Sequence, residues 1–314
     1  MRGPGDDAAV VRARPLCVVS VDTIVEGTHF RLGEGWDTPA EVGHRALAAA
    51  LSDLAAMGAD PGEAYIALGL PPGFQEHDAL ALVRAAAELA RAAETTIAGG
   101  DVVSASGLTV SVTVVGWAEH EHELIARDGA RVGQLVGVTG ALGAAGAALA
   151  LREADARAPG STASVPDAAR SAVLARAGRP WPRLREGRAL AAAGARAMID
   201  LSDGPATDAG HIGRASAVQL RVELAKLPLA EGVAEVCAAL ELDPLRLAAS
   251  AGEDYELCFC APAELRGQIE TALAVPGGAG VSWIGEVLEG AAGALLLGER
   301  GDQVRLGGFE HRWQ

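Results

Sequence analysis

Asp200, Ser202, Asp203 and Asp208 fall within nine positions of the stretch AMIDLSDGPATDAGH, residues 197–211. A short apolar run precedes them, so they stand where a buried strand should give way to a helix. Carboxylates this close repel one another unless a cation or water lies between them. Acids recur at similar places elsewhere. GPGDDAAV sets Asp6 and Asp7 in a glycine-flanked turn, and Asp22 interrupts the otherwise apolar strand pattern of VSVDTIV. Asp53 follows Ser52 on the apolar-rich part of a helical stretch, Asp101 follows two glycines, and AGEDYEL carries Glu253 and Asp254. A carboxylate in a buried strand is costly unless it is paired or bound to metal. Arginine can satisfy one or two such acids but is a poor general answer for all of them. A hard divalent cation is more economical, because magnesium takes oxygen ligands and is commonly shared between carboxylates and substrate phosphates. An all-aspartate set without His or Cys ligands points to Mg2+ or Mn2+ rather than zinc, and so to phosphoryl chemistry on a nucleotide.

The common nucleotide motifs do not supply that site. The chain has no G-x-x-x-x-G-K-[ST] run, and Lys226 is its only lysine. Kinase-type H-R-D and D-F-G strings are absent as well. In VTGALGAAG the glycines fall at Gly140, Gly143 and Gly146, which is not the dinucleotide pattern, and close packing of a helix on a strand accounts for them. Any nucleotide must therefore be held by metals, backbone N–H groups and arginine.

The elements that must position these groups are mixed. Strand-like runs recur at 16–25, 108–117, 134–140, 196–200, 218–224, 255–260 and 281–287. Alanine-rich helical stretches lie between them, as at 78–94, 141–154, 183–195, 205–216 and 262–274. The clearest spans 38–59, with Thr38 as N-cap, Pro39 at the first helical position and Gly58 closing it. Residues 154–171, rich in Pro, Gly, Ser and Ala, read as a mobile surface loop. The polar AEHEHE after Trp117 marks a domain junction near 120–128. With 314 residues, half of them apolar, the chain has room for two medium domains of α/β or α+β type. A net charge of −15 argues against binding nucleic acid or an anionic membrane. No signal peptide or membrane-spanning run is present, and the four cysteines lack C-x-x-C spacing, so buried free thiols in a reducing cytoplasm are expected.

Taken in order, GDDAA, VDTIVEGTHF, LSDLAAMGADP, AGGD, VTGALG, IDLSDG and GEDYEL resemble the thiamine-monophosphate kinases, within the superfamily of aminoimidazole ribonucleotide synthetase. The resemblance runs from residue 3 to the C-terminus. It implies an α+β fold of two domains, 1–125 and 126–314, with mixed sheets packed against helices, and a homodimer formed through the N-terminal domains. It also implies ATP-dependent phosphorylation of thiamine monophosphate, assisted by several Mg2+ ions. By the same resemblance Asp7, Ser20, Val21, Asp22, Asp53, Asp101, Asp200 and Asp203 would hold metal, Val21 through its backbone carbonyl. Gly100, Asp101, Arg127 and Ser202 would meet ATP, while Asp101, Asp200 and Arg127 would carry the catalysis. His29, Glu253 and Phe309 would contact thiamine monophosphate. On residue type alone, His29 serves equally as a turn cap, Phe309 as a core aromatic, Arg127 with Asp128 as a surface pair, and Glu253 with Asp254 as a helix-terminal pair. The competing functions are another ATP-using activity of the superfamily, or a scaffold that binds nucleotide or thiamine phosphate without catalysis. The glycine-rich loop GPGDDAA has no cysteine for selenophosphate chemistry, and the chain ends FEHRWQ without the terminal cysteine of the hydrogenase-maturation branch.

Overall fold

The computed structural model describes residues 8–308. Asp7 and Phe309 lie outside the described residues. The first half runs β1 (Leu16–Val25), α1 (Pro39–Met57), β2 (Asp60–Leu70), α2 (Glu76–Ala92), β3 (Thr96–Ser104) and β4 (Thr109–Ala118). Its strands form one sheet in the order β1-β4-β2-β3, with β4 antiparallel to both β1 and β2, and β3 parallel to β2. The second half runs β5 (Leu135–Thr139), α3 (Ala144–Arg157), α4 (Asp167–Gly178), α5 (Leu184–Ala192), β6 (Ala197–Asp200), α6 (Pro205–Ser216) and β7 (Gln219–Glu223). It continues with α7 (Val233–Ala239), α8 (Pro244–Ser250), β8 (Leu257–Ala261), α9 (Arg266–Leu273), β9 (Val281–Leu288), β10 (Gly293–Leu297) and β11 (Gln303–Val304). These strands make a mixed sheet in the order β11-β10-β7-β9-β5-β8-β6. The architecture is α+β. No described helix is long and apolar enough to cross a membrane.

Helix α1 sets the frame. Thr38 Oγ1 accepts from the Glu41 amide at 3.2 Å, and the Glu41 carboxylate accepts from the Thr38 amide at 2.7 Å, a reciprocal cap that satisfies two otherwise orphan donors. Gly58 closes the helix in the left-handed region at φ 72°. Between these ends nearly every residue is buried, because α1 packs on β1, β4 and α2 on one side and on α5 and β6 on the other. One hydrophobic core accordingly joins Leu47, Leu51 and Leu54 to Val112 and Val114 of the first sheet and to Met198, Leu257 and Phe259 of the second.

The strand β1 alternates cleanly. Val18, Ser20 and Asp22 face the α1 side, whereas Cys17, Val19, Val21 and Thr23 are exposed on the opposite face. The glycines of VTGALGAAG serve close packing as the sequence suggests. A Cβ on Gly146 would lie 2.4 Å from the Ala251 Cβ, so α3 can approach residues 247–251 only with glycine there. Cys258 and Cys260 are buried free thiols. The segment 154–171 differs from its reading as a loop. Its last residues begin α4, and Val165 and Ala169 are buried against α3 and α7. Asp155 accepts from Thr162 Oγ1 at 2.6 Å and pairs with Arg170 at 3.0 Å, which ties the intervening turns down.

Candidate active site

A cleft of about 730 Å³ opens between the two halves. Its walls bring together Asp22 from β1, Asp53 from α1, Asp200 at the end of β6, and Ser202 and Asp203 from the turn into α6. His29 and Glu253 line the same cleft, as do Gly307 and Gly308 at the end of the described chain. Ser20 stands two residues before Asp22 on the same face of β1 and donates its hydroxyl to Asp53 Oδ2.

Electrostatics at the acidic end are unbalanced. Among the described residues no cationic side chain forms an ion pair with Asp22, Asp53 or Asp200. Burial, then the neighbouring Asp53 carboxylate, pushes Asp22 up to about 6. Burial and Asp53 push Asp200, only 4% exposed, up to about 7, with Arg127 nearby pulling it partly back. Asp208 is driven to about 8 by burial and by Asp200, while its Oδ2 accepts from the Asp203 amide at 3.0 Å. Hard oxygen donors of which two, Asp22 and Asp200, are raised by burial and by the Asp53 carboxylate beside them, with no ion-pair partner, fit a divalent cation bound among Asp22, Asp53 and Asp200. Asp203, Asp208 and His211 also converge, each with one potential ligand atom within 4.8 Å of the others. Burial and nearby Arg214 and Arg127 keep His211 below its ordinary pKa.

The other end of the cleft is organised by arginine. Arg45, Ala49 and Asp53 fall four residues apart on α1 and share one stripe of the wall. Arg45 donates to Asp37 Oδ1 at 3.0 Å, to the His29 carbonyl at 2.8 Å, and to both Glu253 oxygens at 3.2 and 3.1 Å. Arg152 of α3 reaches the same Asp37 oxygen at 2.6 Å. At the mouth, the Arg31 guanidinium lies 4.6 Å from the centroid of the Trp36 ring. His29 does hold its turn, since Nδ1 accepts from the Val25 amide at 3.1 Å, and it lines the cleft as well. That bond selects the Nε2–H tautomer for the neutral ring.

The GEDYEL run divides its acids among three tasks. Glu253 lines the cleft in a left-handed conformation at φ 62°, held by its amide to the Ser202 carbonyl at 2.9 Å. Asp254 caps the start of α3, accepting from the Gly143 amide at 2.7 Å. Glu256 is fully buried and receives Arg183 at 2.5 and 2.7 Å, Arg176 at 2.5 Å and Thr139 Oγ1 at 2.7 Å. Arg45, Trp36, Arg152 and Glu256 were not singled out from the sequence. For Glu256 the signal was present, an acid within an apolar strand, as for Asp22.

Not every expected residue reaches this cleft. Arg127 is exposed beyond it, its carbonyl accepting from Ser216 Oγ at 2.9 Å. The side chain of Val21 is 62% exposed on the face of β1 opposite Asp22. Gly100 and Asp101 lie on β3, the far edge strand of the same sheet. Asp101 pairs with Ala67, Ala67 with Ser111, and Ser111 with Thr23, so three strand spacings, about 14 Å, separate Asp101 from Thr23. Residues in one row point to one face, which places Asp101 with Val21 and Thr23 on the bare side of the sheet.

Two α+β halves sharing a helix, with aspartates gathered from β1, α1 and the end of β6 into one cleft, define an aminoimidazole ribonucleotide synthetase-like protein. The family described as AIR synthase related protein, N-terminal domain, matches residues 5–118. Over 303 residues the chain is 37% identical to a thiamine-monophosphate kinase of Mycobacterium tuberculosis, covering 95% of this chain and 82% of that one. The crystal structure of thiamine-monophosphate kinase from Stenotrophomonas maltophilia superposes with a TM-score of 0.81 at 32% identity, over 94% of this chain and 90% of that one. The structure of AaThiL complexed with AMPPCP and TMP gives 0.77 at 28% identity, over 93% and 86%. The chain belongs to the thiamine-monophosphate kinase family.

Proposed function

We propose that the protein phosphorylates thiamine monophosphate with ATP, giving thiamine diphosphate and ADP. The observation that carries this reading is the polarity of the cleft. Asp22, Asp53 and Asp200, none of them in an ion pair among the described residues, crowd one end, and a buried arginine holds His29 and Glu253 at the other. An oxygen of the acceptor phosphate would attack the γ-phosphorus while the ADP oxygen leaves in line. The acceptor is a phosphate monoester, whose second pKa near 6 leaves it largely ionised at neutral pH, so no side chain has to remove its proton. The protein's task is to bring two polyanions together and hold them aligned. Several Mg2+ ions, held by Asp7, Asp22, Asp53, Asp200 and Asp203 with Ser20 contributing, would screen phosphate repulsion when bound. Ser202 and Arg127 would meet the nucleotide. His29 and Glu253 would orient the acceptor, with Phe309 next in the chain after the cleft-lining Gly307 and Gly308.

Gly100 and Asp101 enter this scheme through a homodimer. From Gly100 to Ser104 strand β3 is exposed throughout, Val103 stands bare on the face of Asp101, and Val19 and Val21 extend that apolar face across β1. A second copy packed on that face would cover it and bring Asp101 of the partner subunit toward the cleft. Within each chain the division is into an N-terminal domain of residues 1–125 and a C-terminal domain of residues 126–314. Incubating the pure protein with ATP, Mg2+ and thiamine monophosphate and assaying for thiamine diphosphate tests the reading. Absence of that product, with the protein folded and ATP bound, would refute it.

A further inference from the structure

We infer that Arg45 is a positioning residue for the acceptor half of the site, its guanidinium locking the His29 turn and the Glu253 carboxylate into one frame. The inference rests on the function proposed above. Arg45 belongs to α1 in the first half of the chain and Glu253 to the second, so the contact joins the two walls of the cleft. The guanidinium side chain is 7% exposed, and its fork divides among Asp37, the His29 carbonyl and both oxygens of Glu253. All three of these partners line the cleft. Glu253 also sits at φ 62°, a conformation that a non-glycine residue keeps only where its surroundings hold it.

The arrangement separates position from stability. Asp37 has Arg152 as a second partner at 2.6 Å, so it remains paired when Arg45 loses its charge. Glu253 is 37% exposed and reaches water. Arg45→Met therefore leaves no buried carboxylate unpaired and fills nearly the same space. What it removes is the bond to the His29 carbonyl and the orientation of Glu253. A lysine retains the charge but presents one ammonium on a flexible stem, which cannot serve three partners with a planar fork.

Steady-state kinetics with the full-length protein test this, varying ATP and thiamine monophosphate separately and recording the thermal midpoint of each variant. Arg45→Met should raise KM for thiamine monophosphate about 10- to 100-fold, the range expected from losing charge-assisted hydrogen bonds. KM for ATP should stay within about 3-fold, and Arg45→Lys should recover part of the loss. Glu253→Gln should give a similar defect, and the double variant should be little worse than either single one, because both changes break one unit. Equal rises in both KM values, an unchanged KM for the acceptor, or fully multiplicative effects in the double variant would overturn the inference. Should Arg45→Met not fold, the same comparison of KM values in Arg45→Lys decides the matter. Wild-type protein that makes no thiamine diphosphate would remove the proposed function itself, whereas an active wild type with an unselective Arg45→Met removes the positioning role alone.

Discussion

Asp200→Asn separates a metal-binding carboxylate from a structural one, because the two roles predict opposite changes in stability. Asp200 is 4% exposed, and burial together with Asp53 raises it from 3.8 to about 7. A carboxyl raised in the folded state binds its proton more tightly there than in the unfolded chain. Stability from this group is therefore greatest at low pH and is lost as pH rises from about 4 to about 7. Above that window, ionising Asp200 in place costs about 4 kcal/mol in the metal-free protein. The asparagine removes the charge but leaves a buried amide, so the net gain should be about 1–3 kcal/mol. At roughly 2 °C per kcal/mol for a chain of this size, the midpoint should rise by about 2–6 °C. Thermal unfolding of EDTA-dialysed wild type and variant at pH 8 and pH 5 measures it. At pH 5 only about 1.6 kcal/mol of that cost remains, which the buried amide offsets, so the variant's advantage should disappear. Turnover should fall by orders of magnitude in the same variant, and added Mg2+ should stabilise the wild type more than the variant. A lower midpoint for the variant at pH 8, or the same gap at both pH values, would refute the assignment.

Three further outcomes follow from the site. Activity should vanish with EDTA and return with Mg2+ or Mn2+ rather than specifically with Zn2+, since the donors are hard oxygens; full turnover in metal-free buffer would remove the metal assignment. Asp101→Asn and Asp200→Asn should each be nearly inactive, but mixing them under conditions of subunit exchange should restore up to about a quarter of wild-type activity. Each mixed dimer would hold one intact site if Asp101 acts across the subunit boundary, and no recovery would place Asp101 in its own chain's site. Phe309→Ala should raise KM for thiamine monophosphate by about one to two decades and leave KM for ATP nearly unchanged, reflecting a lost aromatic contact of about 1–3 kcal/mol; equal effects on both substrates would count against it.

Much of the fold was legible where local rules act alone. Thr38, Pro39 and Gly58 bound α1 as their residue types require, and β1 alternates as VSVDTIV suggests. Elements that depend on tertiary context were harder to see. Strand β2 opens with Asp-Pro-Gly, turn residues by propensity, and β3 contains two glycines and an aspartate; both become strands because neighbours supply the ladder. Helix α4 buries only alanines, a glycine and Val173, too weak a periodic signal beside the Pro-Gly-Ser run before it. In the site, acids were visible because a carboxylate in an apolar segment is conspicuous. Arg45 was not, because its partners Asp37 and Glu253 lie 8 and 208 residues away and one of them belongs to the other half of the chain. The face on which Asp101 stands depended on pairing across three strands, which no single segment records.

The burial of α1 on both flanks bears on how the molecule can be cut. Two sheets suggest two separable pieces, yet Leu47, Leu51 and Leu54 share one core with Met198, Leu257 and Phe259. On the far flank a Cβ at Gly187 of α5 would lie 2.0 Å from the Ala55 carbonyl, so α5 and α1 meet backbone to backbone. A fragment ending near residue 125 would keep its sheet but bare that flank of α1, and the complementary fragment would lose the helix that covers β6. Gene halves expressed apart should each aggregate and should recover a native fold only when co-expressed. For the same reason a rigid swing of one half away from the other would strip α1 of half its packing. Substrate entry must then use smaller movements at the cleft rim, where residues 31–37 stand, rather than a hinge through the middle of the chain.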